Sequence, residues 1–158
     1  MRHSRPESIQ LNRAHRYCLY LVLALLFLSG AAWARWNCLV AHSADFEASA
    51  KTWAMKIHGA AAMAMLVLIG TLLTSHVKSA WCARRNRKNG ALLLGVFGLL
   101  TITGYGLYYA GAEELRAWAS WIHLGLGLSI PLLVVLHLVL GKRTRPATMP
   151  RQKKSANS

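Results

Sequence analysis

Acidic residues are scarce in this sequence. Its 158 residues include 5 Asp and Glu against 19 Lys and Arg, a net charge of +14, and no Asp or Glu lies within its long apolar runs. Ion and metal transporters normally carry carboxylates inside the membrane, so their absence here weighs against that class of function.

Cysteine is also rare. The three cysteines, Cys18, Cys38 and Cys82, fall at three different levels along the apolar runs and the connections between them, so we expect no intramolecular disulfide. No CxxCH sequence occurs, which argues against a covalently attached c-type haem.

Long apolar runs, in contrast, are abundant. Apolar residues make up 54% of the chain, and the polar residues are gathered into separate clusters instead of alternating with the apolar ones. Four runs approach or exceed the roughly 20 residues that a membrane-spanning helix needs; they are Tyr17–Trp36, Trp53–Val77, Ala91–Ala110 and Ala117–Leu140. We therefore predict an all-α integral membrane protein, a bundle of four transmembrane helices over residues 17–141. Its short connections leave no room for a soluble domain.

The basic residues indicate which way the helices run. Fifteen of the 19 lie on one side of the spans, in a leader over residues 1–16, in the connection between spans two and three, and in a tail over residues 142–158. The other four share the opposite side with four of the five acids. By the positive-inside rule both termini are cytoplasmic. The orientation of the helices thus accounts for the positive charge, so we expect contact with lipid and no nucleic-acid partner. We also expect the basic tail to be disordered.

The first span has a second interpretation. The run LVLALLFLSGAAWA follows a basic start and ends in small residues with an A-x-A pattern, as a signal-peptidase site does. Cleavage there would leave three helices and an N-terminus outside the membrane. We favour the uncleaved helix, because the apolar run has the full length of a span.

Spans two and four each carry a histidine near both ends, although histidines inside a membrane are rare and are usually functional. In span two these are His58 and His76, 18 positions apart, and in span four His123 and His137, 14 apart. At about 100° per residue, each pair lies on one face of its helix. Because both spans run from outside to inside, His58 is expected at the depth of His123. By the same argument, His76 is expected near the depth of His137.

Two imidazoles that face each other in an apolar interior suit a haem iron held by axial ligands from two helices. Zinc would need further ligands, which this interior does not offer. Small residues follow the two outer histidines, namely Gly59, Ala60, Ala61, Ala62, Gly125 and Gly127. They leave space for a flat macrocycle; the alternative is that they serve close packing of helices.

The region from Trp53 to Lys142 resembles a known family. It contains the segments KIHGAAAM, SHVKSAWCARRNRKNG, GYGLYYAG and WASWIHLGLGLSIPLLVVLHLVLG. These are similar to segments of bacterial four-helix di-haem b-type cytochromes, and within that group to the small proteins called flavinylation-associated cytochromes.

The resemblance implies a multi-pass protein of the bacterial inner membrane with two non-covalent haem b groups, each held by two histidines. His58 and His123 would be the axial ligands of the outer haem iron. His76 and His137 would be those of the inner one. Larger relatives take one inner ligand from the first span, where NRAHRY offers His15 as the alternative.

Such a chain is expected to transfer electrons across the membrane, between quinone or another donor and a partner outside that bears flavin or haem. It would be an electron carrier or a subunit of a redox complex rather than a stand-alone enzyme. The residues alone leave two other functions open. One is a cofactor-free membrane anchor or assembly subunit, with the histidines merely at helix ends; the other is a metal transporter that uses them as transient ligands.

The predicted topology can be tested by thiol labelling. Cys38 follows span one on the outside, and Cys82 follows span two on the cytoplasmic side. In single-cysteine variants, Cys38 should react with a membrane-impermeant maleimide in intact spheroplasts, whereas Cys82 should react only after lysis. The opposite pattern would invert the topology, and loss of residues 1–34 from the mature chain would show that the A-x-A site is cleaved.

Overall fold

The computed structural model describes residues 12–38, 45–82 and 86–143, and these residues form an all-α fold. Its helices are α1 (Arg13–Cys38), α2 (Asp45–Leu72), α3 (Lys78–Cys82), α4 (Arg87–Tyr109) and α5 (Glu113–Arg143), and a π-helical turn, Leu73–Val77, joins α2 to α3 directly. Most of the predicted leader and the predicted tail from residue 144 onward lie outside the described residues. Helix α5 continues to Arg143, slightly beyond the predicted end of the bundle at residue 141.

Four helical stretches are long and apolar enough to cross a membrane. They are Arg13–Asn37, Ala48–Cys82, Arg87–Tyr109 and Glu113–Arg143, with 25, 35, 23 and 31 residues. Each corresponds to one predicted span, so the prediction of four helices of spanning length is confirmed. At about 1.5 Å per residue, the longest stretch measures roughly 52 Å, which exceeds the roughly 30 Å of a hydrocarbon core.

The helices pack as two antiparallel hairpins. The side-chain hydrogen bonds between helices run in reverse order along the two partners: Asn37–Lys51, Ser29–His58 and His15–Thr71 join α1 to α2, and Thr103–His123 and Asn89–His137 join α4 to α5. Between the hairpins, α1 touches α5, and the remaining pairs of long helices make little contact in the described ranges. We call the end near residues 38–45 and 110–112 the hairpin end, and the opposite end the terminal end.

Few side chains of the described residues are buried, and half of the buried apolar ones are alanines. The buried apolar residues are Ala54, Ala61, Met65, Val96, Ala119 and Ile130. Large apolar side chains point outward along every long helix, among them Leu21, Val67, Ile102 and Leu132. An apolar exterior of this kind is consistent with a lipid bilayer as the surroundings of the bundle.

The π-helical turn follows a run of hydroxyl residues. The hydroxyls of Thr74 and Ser75 both donate to the backbone carbonyl of Thr71, at 3.1 and 2.8 Å, and the Thr71 hydroxyl donates to the carbonyl of Leu68 at 2.8 Å. Hydroxyls that bond to carbonyls one turn back compete with the backbone N–H groups and distort a helix. The α-helical pattern gives way at Leu73, within the segment where three such bonds follow one another.

Candidate functional site

His58 of α2 and His123 of α5 face each other across the boundary between the two hairpins. Their ring centroids are 6.1 Å apart, and the ring planes are inclined at 70°. Both side chains are half-buried. Since each ring belongs to a different hairpin, a group bound to both would link the two halves of the bundle.

Helix α1 holds His58. Its Nδ1 lies 3.0 Å from the carbonyl oxygen of Leu26 and 3.1 Å from Oγ of Ser29. A carbonyl oxygen can only accept, so Nδ1 carries the proton and donates. The Ser29 hydroxyl directs its own proton at the carbonyls of Leu25 and Leu26, which leaves its oxygen able to accept from His58. The lone pair of the ring is therefore on Nε2.

Helix α4 holds His123 in the same way. Its Nδ1 lies 2.9 Å from Oγ1 of Thr103. The Thr103 hydroxyl donates to the carbonyl of Leu99 at 2.8 Å, so its oxygen accepts from the imidazole. His123 thus has the same tautomer as His58, with its lone pair on Nε2.

The two Nε2 atoms are the notable groups of this site. Within the described ranges, the hydrogen bonds of the two rings all involve Nδ1, and none reaches Nε2. A histidine that binds a metal does so through one nitrogen while the other donates to a carbonyl or a similar acceptor. His58 and His123 are therefore both arranged as metal ligands would be. The same ranges contain no group of three or more His, Cys, Asp or Glu that could hold a metal ion.

Two glycines allow the imidazoles to lie against the neighbouring helices. A Cβ at Gly30 would stand 3.1 Å from Cε1 of His58, which is closer than ordinary contact. A Cβ at Gly104 would stand 3.4 Å from Cε1 of His123. Each glycine follows directly after the hydroxyl residue that bonds to the same ring, so one short segment both supplies the acceptor and makes room for the ring.

Sequence reasoning missed these hydroxyl–glycine pairs, although the sequence carries a signal for them. Helix α1 contains LLFLSG over residues 25–30, and α4 contains LLTITG over residues 99–104. Each segment ends in a hydroxyl residue and a glycine, and each precedes a helix that carries the contacted histidine. Comparison of the two halves of the chain would have revealed this internal repeat.

The glycines beside the histidines border open space. No atom of the described residues lies within 4 Å of the position that a Cβ would take at Gly59, Gly125 or Gly127. The alternative interpretation, in which these glycines bring helices into close contact, is therefore wrong for these three positions.

At the terminal end, the start of α4 contacts His137. Nδ1 of His137 lies 3.4 Å from Nδ2 of Asn89, and its backbone carbonyl accepts from the side-chain amide of Asn86, also at 3.4 Å. Asn86 has a left-handed conformation with φ 46°, which asparagine adopts more readily than most residues. An amide offers either its NH₂ group or its oxygen to a neighbour. Asn89 therefore does not fix the tautomer of His137 as a carbonyl would.

His76 lies in the π-helical turn and interacts electrostatically with His137. The expectation that it shares a face with His58 assumed 18 residues of uninterrupted α-helix, and this assumption is wrong from Leu73 onward. A π-helical turn holds more residues per turn, so it alters the angular position of the residues within and beyond it. The proximity to His137 thus arises from a geometry that the spacing argument did not include.

His15, the alternative inner ligand, contacts α2. Its Nε2 lies 3.4 Å from Oγ1 of Thr71, and because the Thr71 hydroxyl donates to the carbonyl of Leu68, its oxygen is the acceptor. Among the contacts of the described residues, none joins His15 to His137. His137 is influenced by the charge of His76, whereas the described contact of His15 is with Thr71. The role of either residue as a ligand stays a prediction.

An apolar groove separates α2 from α4 between the two histidine levels. Its volume is about 350 Å³, and the residues that line it include Leu66 and Ile69 from α2 and Leu94, Phe97 and Ile102 from α4. That volume is near the lower end of the range for small-molecule and cofactor sites, about 300–1,000 Å³. The groove is open toward the side of the bundle, and none of His58, His76, His123 and His137 lines it.

Comparison with known proteins leaves the family of this chain open. No family model, curated protein or solved structure matches it. The resemblance to di-haem cytochromes stays a prediction, and the function is inferred from the contacts of the histidines.

Substitution of Gly30 tests whether α1 orients His58. In Gly30→Ala the new methyl group would stand 3.1 Å from Cε1 of His58, so the ring must shift and its bonds to Leu26 and Ser29 must lengthen. We expect a changed ¹⁵N resonance for Nδ1 of His58 and a loss of about 1–2 kcal/mol in the free energy of unfolding in detergent.

Gly70→Ala is the matched control, because nothing lies within 4 Å of a Cβ at that position. Both substitutions gain the same helix propensity, about 1 kcal/mol, so the difference between them reports the contact with the ring. Equal behaviour of the two variants would show that α1 does not orient His58.

Proposed function

We propose that this protein is a membrane-embedded b-type cytochrome that carries electrons across a bilayer. The observation that supports this most is the pair formed by His58 and His123. The two rings come from different hairpins, each Nδ1 is bonded to the neighbouring helix, and neither Nε2 has a hydrogen-bond partner among the described residues.

The separation of the rings suits a single iron atom between them. The bond from a first-row metal ion to an imidazole nitrogen is about 2 Å long, so two rings on opposite sides of one metal have centroids roughly 6 Å apart. The observed separation is 6.1 Å. A haem brings its equatorial nitrogen ligands with it and takes only axial ligands from the protein, whereas a zinc ion would need further side chains.

The surroundings of the pair also suit a flat, largely apolar group. Gly59, Gly125 and Gly127, which lie one to four residues after these histidines, border open space. Bound haem would supply reversible one-electron oxidation and reduction. The chain's own residues would hold the iron through His58 and His123, fix the tautomer of both rings, and keep water away with the apolar faces of the helices.

A second haem would be held at the terminal end by His137 with His76, or with His15 as the alternative. The electrostatic interaction between His76 and His137 favours the first pairing. His123 and His137 are 14 residues apart in α5, which at about 1.5 Å per residue separates the two sites by roughly 21 Å along the helix. Two sites at different depths would let electrons cross from one face of the membrane to the other.

The distribution of charge suggests the setting in which this happens. Fifteen of the 19 basic residues belong to the sequence segments before span one, between spans two and three, and after span four, so the positive-inside rule favours a cytoplasmic terminal end and an external hairpin end in a bacterial inner membrane. We propose quinone or another donor as one redox partner, and a flavin- or haem-bearing protein outside the membrane as the other. The chain would act as a carrier or a subunit of a redox complex rather than as a stand-alone enzyme.

The cofactor-free membrane anchor is less well supported by these contacts. Without a bound group, the Nε2 atoms of His58 and His123 would remain unpaired in an apolar interior, at a cost of about 1–3 kcal/mol each. An anchor has no need of two facing lone pairs, and leucine at both positions would serve it better.

The central test is the absorption spectrum of the purified protein. Protein from haem-replete cells should show a low-spin b-type spectrum with about two haems per chain. His58→Ala and His123→Ala should each lower the haem content by about half, because one haem needs both axial ligands. His42→Ala, in the connection between α1 and α2, is the control and should keep the full content. An intact chain without any Soret absorption would refute the proposal.

The same assay identifies the ligand that pairs with His137. We expect His76→Ala to lower the haem content by about half and His15→Ala to retain it, because His76 interacts with His137 while Nε2 of His15 contacts Thr71. The reverse result would place the second haem between α1 and α5.

A further inference from the structure

The hydroxyl groups of Ser29 and Thr103 occupy the same place in the two hairpins. Each oxygen accepts from Nδ1 of a histidine on the next helix, at 3.1 Å for His58 and 2.9 Å for His123. Each hydroxyl proton is already directed at a backbone carbonyl one turn back, that of Leu25 or Leu99. The hydroxyls therefore cannot turn round and donate to the imidazoles without losing those bonds.

An acceptor at Nδ1 changes the chemistry of the opposite nitrogen. Partial transfer of the Nδ1 proton toward an oxygen raises the electron density of the ring and makes Nε2 a more basic ligand. A more basic axial ligand stabilises ferric iron more than ferrous iron, and hydrogen bonding around the ligands is one of the means by which a protein sets the reduction potential of haem.

We propose that Thr103 and Ser29 are positioning residues that lower the reduction potential of the haem held by His123 and His58. This inference rests on the proposed function of the same pair. Thr103 makes the shortest of these contacts, 2.9 Å, whereas His58 divides its N–H between Ser29 at 3.1 Å and the Leu26 carbonyl at 3.0 Å. Thr103 is therefore the stronger determinant of the two.

The test is a redox titration of the α-band absorbance of the haem-loaded protein in detergent. Thr103→Val replaces the hydroxyl with a methyl group of similar size. We expect the equilibrium between ferric and ferrous haem to move toward the ferrous form by about tenfold, which is a rise of about 59 mV in the midpoint for one electron. Ser29→Ala should move the midpoint in the same direction by a smaller amount, because the Leu26 carbonyl remains as an acceptor.

Two further variants separate this effect from a general change in packing. Thr52→Val removes a hydroxyl that bonds to the carbonyl of Ala48 at 2.9 Å, the same kind of bond that Thr103 makes to Leu99. Thr52 is exposed and contacts no histidine within the described residues, so this variant should keep the wild-type midpoint. Thr103→Ser retains the hydroxyl and should restore a midpoint close to that of the wild type.

The possible results distinguish the inference about Thr103 and Ser29 from the proposed function. An unchanged midpoint in Thr103→Val at full haem content would overturn the inference and leave the proposed function intact. Absence of haem from the wild-type protein would instead refute the proposed function itself. If Thr103→Val does not retain haem, the midpoint of Ser29→Ala tests the inference instead. A midpoint above that of the wild type supports the inference, and an unchanged or lower midpoint overturns it.

Discussion

A histidine inside an apolar bundle has to find an acceptor for its N–H, and the rest of this site depends on how that acceptor is supplied. The carbonyls of an α-helix are mostly engaged by its own backbone. A serine or threonine that gives its proton to a carbonyl one turn back still has a lone pair that faces away from its helix. Ser29 and Thr103 do this, and together with the carbonyl of Leu26 they hold two imidazoles from the adjacent helices.

This single interaction determines several features of the site at once. It fixes the tautomer of each ring, and it brings the helices of each hairpin so close that a Cβ on the residue after the hydroxyl would stand 3.1 Å from His58 at Gly30 and 3.4 Å from His123 at Gly104. It also leaves the lone pair on Nε2, away from the partner helix. Because both hairpins repeat the arrangement, two such lone pairs occur at one level of the bundle.

The terminal end lacks this regularity. His15 and Asn89 each precede the hydroxyl residue of their helix by 14 positions, so they occupy the same place in the repeat, yet one is a histidine and the other is not. In α5, His137 follows His123 by 14 positions, whereas the residue 14 positions after His58 in α2 is Leu72. A histidine appears in α2 only after the π-helical turn, as His76. The hairpin end is therefore nearly symmetric in its chemistry, and the terminal end is not.

Hydropathy was enough to predict the number of helices of spanning length, and sequence spacing was enough to predict that His58 and His123 lie at one level of the bundle. The partners of the histidines lie on other helices, and helical spacing does not reveal which faces meet. Ser29 and Thr103 were missed for that reason, because a single hydroxyl residue in an apolar run forms no periodic pattern that would show which helix it faces. The π-helical turn was missed because the spacing argument treated TLLTSHV as ordinary helix, although its three hydroxyl residues are a local signal for distortion.

The position of the π-helical turn also affects how the chain tolerates changes in length. It begins at Leu73, beyond the contacts by which α1 holds His58. A residue inserted into or deleted from Leu73–Val77 would rotate the chain that follows by about 100° and leave the preceding part of α2 in register. Insertions and deletions there would remodel the terminal end alone, so the two levels of histidines are free to diverge separately during evolution.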